Sequence, residues 1–258
     1  MQNEGLHPWV IVTCKGRLEF LRRTAPGLLE QDVNYCLVDY DCPERSGEWL
    51  LDVARGRSGA GQVRVVNHAP APKFHKTHAQ NIGAREAIRL GATHLLFSDA
   101  DTIHFAGSIK AALALVSPGT FVIAGRDADD RSIRSLTGFI ALLSRDFIET
   151  GGYDEEFVGW GAEDLELRLR MHLQYGMAFR ELDHGYLEPI QHSDALRTEF
   201  MEHTDHLVSY MRNWAILNLK LQRWMGVPSV KLGQLASRLL MSLPSSGMPR
   251  TNGGARTA

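Results

Sequence analysis

Cysteine is scarce: three in 258 residues, with no Cys-x-x-Cys pair. That excludes a disulfide scaffold and a thiolate zinc centre, and it leaves Cys14, Cys36 and Cys42 as reduced, partly buried thiols suited to a reducing compartment. His75-x-x-His78 and His203-x-x-His206 have no cysteine partners and read as ordinary surface or core histidines. No run of about 18 apolar residues occurs, so no transmembrane helix is expected. The first residues lack a charged segment followed by an apolar stretch, so no signal peptide is expected and the protein is placed in the cytoplasm. Neither sign of charge dominates: 28 Lys and Arg face 30 Asp and Glu, a net charge of −2, which gives no reason to expect nucleic acid as a partner. Walker-type and Gly-x-Gly-x-x-Gly phosphate loops are also missing. Any phosphate would therefore be held by metal and cationic side chains.

What is present is a core. Hydrophobic residues make up 44% of the chain, enough for one α/β domain or a domain with an appendage. Short apolar or β-branched runs at Trp9 to Thr13, Asn34 to Asp39, Val63 to Asn67 and His94 to Ser98 alternate with helical stretches. Those stretches are Leu18 to Ala25, Glu48 to Arg55 and Thr77 to Leu90. Phe121 to Arg126 and Thr137 to Ser144 are further strand candidates. Such alternation predicts a mostly parallel sheet with helices on both faces. Ligands of these sheets gather at the carboxyl ends of the strands, where Thr13-Cys14-Lys15, Asp39 and an acidic pair all fall.

That acidic pair is Asp99-Ala100-Asp101, at the end of the apolar run Leu95 to Ser98. Side chains at i and i+2 of an extended chain share a face, so both carboxylates can be aimed at one point, where their repulsion calls for a cation. Oxygen ligands suit Mg²⁺ or Mn²⁺ carrying a substrate phosphate; an acidic turn after a strand is the equally good plain reading. A second segment, Gly159-Trp160-Gly161-Ala162-Glu163-Asp164, places two acids where a helix dipole favours negative charge. Simple capping accounts for the acids but not for a large flat ring between glycines, a surface suited to sugars.

These segments resemble the GT-A-fold glycosyltransferases, near the family 2 enzymes and the catalytic domains of β-1,4-galactosyltransferase and chondroitin-polymerase type. Phe74-His75-Lys76-Thr77-His78-Ala79-Gln80-Asn81-Ile82-Gly83 is similar to the segment preceding the family's Asp-x-Asp. Gly151 to Asp164 is similar to its Gly-Trp-Gly-x-Glu-Asp motif, and Ile190-Gln191-His192-Ser193 to its late histidine segment. The resemblance spans most of residues 9 to 200 and implies a Rossmann-like GT-A domain over residues 1–205. It implies an inverting transfer of a hexose or N-acetylhexosamine from a nucleotide sugar, UDP being the expected nucleotide, to a saccharide or glycoconjugate acceptor. Asp101 and His192 would bind Mn²⁺ or Mg²⁺ with support from Asp99, Asp164 would be the general base, and Glu163 and Trp160 would position the acceptor. Donor contacts would come from Thr13, Lys15, Arg17, Asp39, Asp41, Lys76, Asn81, Asp99, Gly138 and Trp160. Lys76 replaces the family's Arg, keeping the charge but losing the bidentate fork. Phe139 replaces a glycine of the galactosyltransferases, and core packing is the ordinary use of such a Phe.

Two other readings fit part of the pattern. A haloacid-dehalogenase-like phosphatase also carries Asp-x-Asp after a strand, although normally after its first. A non-catalytic sugar-nucleotide or glycan-binding module would keep the same residues without turnover. Beyond the domain, Leu207, Tyr210, Met211, Trp214, Leu217, Leu221 and Trp224 recur at helical spacing. This predicts a helix that packs on the domain, with a peripheral contact to the inner face of a membrane or to a partner as the lesser option. A second short helix is expected from Val230 to Leu243. The acidic stretch Asp127, Asp129 and Asp130 reads as a solvated loop, and residues 245–258 as a disordered tail.

Overall fold

The runs Trp9 to Val12 and Leu95 to Phe97 are apolar at every position because both of their faces are covered. In the computed structural model, which describes residues 5–31, 33–56, 61–125 and 136–226, they lie in the two central parallel strands. Strands β1 (Pro8–Cys14), β2 (Asn34–Asp39), β3 (Val63–Asn67), β4 (His94–Asp99), β6 (Thr120–Ala124), β7 (Ile140–Leu143) and β8 (Ala178–Leu182) form one sheet. Their order is β3-β2-β1-β4-β7-β6-β8. Only β7 runs against the rest, pairing antiparallel with both β4 and β6. Two short strands, β5 (Thr102–His104) and β9 (Leu187–Pro189), pair antiparallel beside it.

Alternation along the strands divides the core. Val10, Val12 and Leu96 face one cluster, with Leu21, Leu28 and Leu50 from α1 (Leu18–Leu29) and α2 (Ser46–Arg55). Trp9, Ile11, Leu95 and Phe97 face another, with Ala84 and Ala87 from α3 (Lys76–Arg89) and Leu167 and Met171 from α6 (Glu163–Tyr175). Between them, α4 (Ser108–Leu115) and α5 (Ser144–Glu149) cover the remaining strands. The expected termini shift by a few residues. Most visibly, α1 runs through Pro26 to Leu29, where buried Leu28 anchors its last turn.

The C-terminal helix corrects the predicted stripe. After the short α7 (Asp194–Thr198), α8 (His206–Met225) buries Ser209, Asn213, Leu217 and Leu221, whereas Leu207 and Met211 are 56% and 63% exposed. Its second half packs Leu217 and Leu221 on Phe157. Its first half uses the Ser209 hydroxyl to grip a backbone, a contact that hydrophobic periodicity does not see. No helix among the described residues is long and apolar enough to cross a membrane. Asp127, Asp129, Asp130, the expected helix at 230–243 and the tail at 245–258 lie outside the described residues.

A buried histidine in this frame makes stability depend on pH. His104 Nε2 lies 2.8 Å from the Ser98 hydroxyl and Nδ1 3.3 Å from that of Ser108, and burial pulls its pKa down to about 3. The unfolded chain binds a proton near pH 6.5 that the folded chain refuses. The full contribution is therefore present above about pH 6.5 and is lost as pH falls toward 3, at roughly 1.4 kcal/mol per unit. Urea titrations at pH 7, 5.5 and 4.5 should show this excess slope in the wild type and not in His104→Asn. Equal slopes in the two proteins would contradict it.

Candidate active site

The strand period places Asp99 on the face of Phe97, toward α3 and α6. Strand β4 ends there, and the chain turns at Ala100 and Asp101. The two carboxylates take different partners there, while Asp101 still lies within electrostatic reach of Asp99. Asp99 Oδ1 lies 3.1 Å from Lys76 Nζ, whereas Asp101 Oδ2 lies 2.6 Å from His192 Nε2. Each acid thus has its own partner. Among the described residues no group of three or more His, Cys, Asp or Glu side chains is arranged to hold a metal.

Lys76 is the hub of the site. As the first residue of α3 it reaches the first residues of α6, and its ammonium lies 3.2 Å from Glu163 Oε1 and 2.9 Å from Asp164 Oδ2. Its three N–H donors meet three carboxylates. Burial opposes the charge, but Asp164, Asp99 and Glu163 outweigh it and hold the pKa well above the usual lysine range. Burial also raises the Glu163 carboxyl and brings Asp99 to about 6. Three carboxylates against one ammonium leave the cluster with excess negative charge. The second oxygens, Glu163 Oε2 and Asp164 Oδ1, are buried without a hydrogen-bond partner among the described residues. Unpaired buried acceptors are costly and mark a place for ligand donors.

The approach to α6 is strained to present these acids. Gly159, Gly161 and Ala162 are left-handed, with φ of 86°, 103° and 69°, and for Ala162 that costs on the order of 1 kcal/mol or more. Helix α8 holds the segment: the Trp160 N–H donates to Ser209 Oγ at 2.6 Å, and the same hydroxyl donates to the Trp160 carbonyl at 3.2 Å. The indole is half-buried rather than exposed. It stacks on Tyr210 at 5.8 Å, lies 5.3 Å from His206 and sits beneath the Arg197 guanidinium at 5.7 Å.

His192 arrives through the small sheet. Thr102 pairs with Pro189, and the Ile190 N–H donates to the Asp101 carbonyl at 2.8 Å, so the chain continues directly to His192 beside the Asp101 side chain. Its Nδ1 is 3.2 Å from the Ser193 carbonyl. Both ring nitrogens thus face acceptors, whereas a neutral imidazole has one N–H.

The family model described as the N-terminal domain of galactosyltransferase matches residues 126–193. β-1,4-Galactosyltransferase 4 of Homo sapiens is 25% identical over 189 residues, 64% of this chain and 54% of that protein. Validoxylamine A glucosyltransferase of Streptomyces hygroscopicus subsp. jinggangensis is 52% identical over 33 residues, 13% of this chain and 8% of that protein. The chain spans about half or less of the length of these curated relatives. Crystal structures of S. aureus TarS superpose with TM-scores of 0.55 and 0.59 at 14% and 15% identity. They cover 96% of this chain, and 74% and 45% of TarS respectively. The shared architecture is the GT-A fold. The chain has the GT-A fold and is similar in sequence to the galactosyltransferases.

Against that glycosyltransferase frame, several expected donor contacts prove to be internal. Lys15 is buried and donates to the carbonyls of Tyr40, Asp41 and Ala71 at 3.3, 2.7 and 2.8 Å. Asp41 accepts from the Ala71 N–H at 3.0 Å. Asp39 accepts from the Cys42 N–H, the Ser46 hydroxyl and the Gly47 N–H at 2.7, 3.0 and 2.6 Å, tying β2 to the start of α2. Asn81 clamps the Tyr153 backbone, accepting from its N–H and donating to its carbonyl, both at 2.9 Å. Arg17 is half-buried: it donates to the Leu196 carbonyl and lies over Phe20. Burial lowers its pKa, opposed by Asp101. Thr13 pairs in register with Asp99 at the rim. Gly138 needs its missing side chain, since a Cβ there would lie 2.1 Å from Asp99 Oδ2. Phe139 is in the core.

Sequence reading passed over Tyr153, Ser209 and Arg197. Tyr153, next to two glycines, and Ser209, within the C-terminal stripe, lie in segments already singled out. Ser209 and Arg197 matter through contacts across the fold. For a divalent ion, the imidazole and carboxylate of His192 and Asp101 fit the donor chemistry of Mn²⁺, while Asp99 is engaged by Lys76.

Proposed function

We propose that the protein is an inverting, metal-dependent glycosyltransferase that moves a hexose or N-acetylhexosamine from a nucleotide sugar, with UDP as the nucleotide, to a saccharide or glycoconjugate hydroxyl. The observation that carries this reading is the buried pair Glu163 and Asp164 at the start of α6. Each acid has one oxygen on Lys76 and the other without a hydrogen-bond partner among the described residues.

Asp164 Oδ1 takes the proton of the acceptor hydroxyl while that oxygen bonds to the anomeric carbon. The bond to the nucleotide oxygen breaks on the opposite face of the sugar, inverting the centre. Glu163 Oε2 accepts a hydrogen bond from a second acceptor hydroxyl and orients the first. Lys76, fully occupied by acids, holds their geometry instead of neutralising the diphosphate. Asp101 and His192 would hold Mn²⁺, which supplies Lewis-acid stabilisation of the leaving diphosphate. The strained Gly-Trp-Gly-Ala backbone, stitched to α8 through Ser209, keeps both acids out of water.

The test is a panel of UDP-glucose, UDP-galactose and their N-acetylhexosamine counterparts with Mn²⁺, read as slow release of free UDP. One or more donors should be turned over, and binding without release would instead fit a non-catalytic module. Asp101→Asn and His192→Ala should weaken Mn²⁺-dependent UDP binding, measured by calorimetry, by about 10–100-fold, with the melting temperature little changed. Unaltered binding at limiting Mn²⁺ in both variants would refute the metal assignment.

A further inference from the structure

A tyrosine beneath the acid cluster has no packing reason to be a tyrosine. Tyr153 is 3% exposed, and its hydroxyl is buried without a hydrogen-bond partner among the described residues. Burying an unpaired hydroxyl typically costs about 1–3 kcal/mol, and phenylalanine would fill the same space. The position is also tightly defined. Asn81 hydrogen-bonds both polar groups of its backbone, and the ring meets Phe97 edge-on at 5.0 Å.

The surrounding periodicity shows where the polar tip lies. Phe97 precedes Asp99 by two residues on the same face of β4. Leu167 follows Asp164 by three residues on the same face of α6. Phe97, Leu167 and Tyr153 belong to one buried cluster, so the ring sits directly under the two acids. Burial pushes the phenol well up, and among charged groups Asp164 acts on it most strongly, ahead of Lys76 and Asp99. The Tyr153 hydroxyl, a donor, and the second oxygen of Asp164, an acceptor, both lack a partner among the described residues and lie within electrostatic reach of each other beside this cluster.

We propose that Tyr153 is a positioning residue for Asp164, its hydroxyl holding the carboxylate through one shared water or acceptor hydroxyl, an inference that rests on the reading of Asp164 as the base. Tyr153 Oη–H donates to this bridging group and Asp164 Oδ1 accepts from it, so the free oxygen is fixed along the line on which it receives the proton. No bond is made or broken at Tyr153, and the phenol stays protonated throughout.

The experiment is a double-mutant cycle of Tyr153→Phe and Asp164→Asn on the whole chain. UDP release from UDP-galactose with Mn²⁺ and water as acceptor is measured alongside melting temperature and UDP affinity. Tyr153→Phe should lower kcat by about tenfold, the worth of one hydrogen bond, with KM, UDP affinity and melting temperature near wild type. In the Asp164→Asn background the same substitution should have no further effect. A kcat within twofold of wild type, or the same tenfold loss in both backgrounds, overturns the proposal. A silent Asp164→Asn on its own marks the failure of the base assignment, and it takes the role of Tyr153 with it.

Discussion

Asp164→Asn should lower sugar transfer by about 10²–10⁴-fold, the usual worth of a general base, with UDP and Mn²⁺ affinity nearly unchanged. The acceptor hydroxyl is a weak nucleophile whose proton must leave as it attacks. Asp164 is placed to take it: the Lys76 ammonium holds Oδ2 at 2.9 Å at the start of α6, while Oδ1 is buried and open to a donor. Asparagine keeps the shape and serves well at a helix start, but it cannot accept the proton. Glu163→Gln should act mainly on KM for the acceptor. Turnover of Asp164→Asn near the wild-type value with saturating acceptor would rule out the base and leave helix capping as the role of Asp164.

Lys76→Met should be the most destabilising single change at the site, costing about 3–5 kcal/mol. It removes the only ammonium within ion-pair distance of Asp99, Glu163 and Asp164 in the described structure and strands three carboxylates that burial already disfavours. The loss must depend on pH. Carboxyls whose folded pKa is raised above the unfolded value stabilise the protein while protonated, and that contribution is lost as pH rises through the folded pKa. Asp99 is at about 6 even beside Lys76. Without the ammonium Asp99 and Glu163 move higher still, so the deficit of Lys76→Met should shrink on going from pH 8 to pH 5. Denaturant midpoints at the two pH values decide it. A variant within 1 kcal/mol of wild type at pH 8 would show that the cluster is solvated instead of buried.

Local pattern made much of this protein legible. The alternation of apolar strands with helices predicted a mostly parallel sheet, and β1 to β4 lie within a residue of their expected spans. The Gly-Trp-Gly-Ala-Glu-Asp segment marked the acids at the start of α6. Leu207 and Met211 misled because helical spacing shows that a helix is amphipathic without showing which contacts bury it. The buried line of α8 begins with Ser209 and Asn213, one of which holds the Trp160 backbone.

The sequence by itself determined the elements and the kinds of side chain gathered at the carboxyl ends of the strands, because periods of 2 and 3.6 are properties of neighbouring residues. Only the tertiary structure decided which of those side chains meet. Asp99 and Asp101 take different partners, Lys76 and His192, across the turn that ends β4. Lys76 crosses from α3 to α6 and is taken up by acids 87 and 88 residues away. Asp39 satisfies backbone groups of its own loop, and Lys15 and Asn81 those of loops brought up from elsewhere in the chain. Buried charge must find a partner wherever the fold brings one, and such pairs, formed across the sheet and its crossovers, leave no period in the sequence.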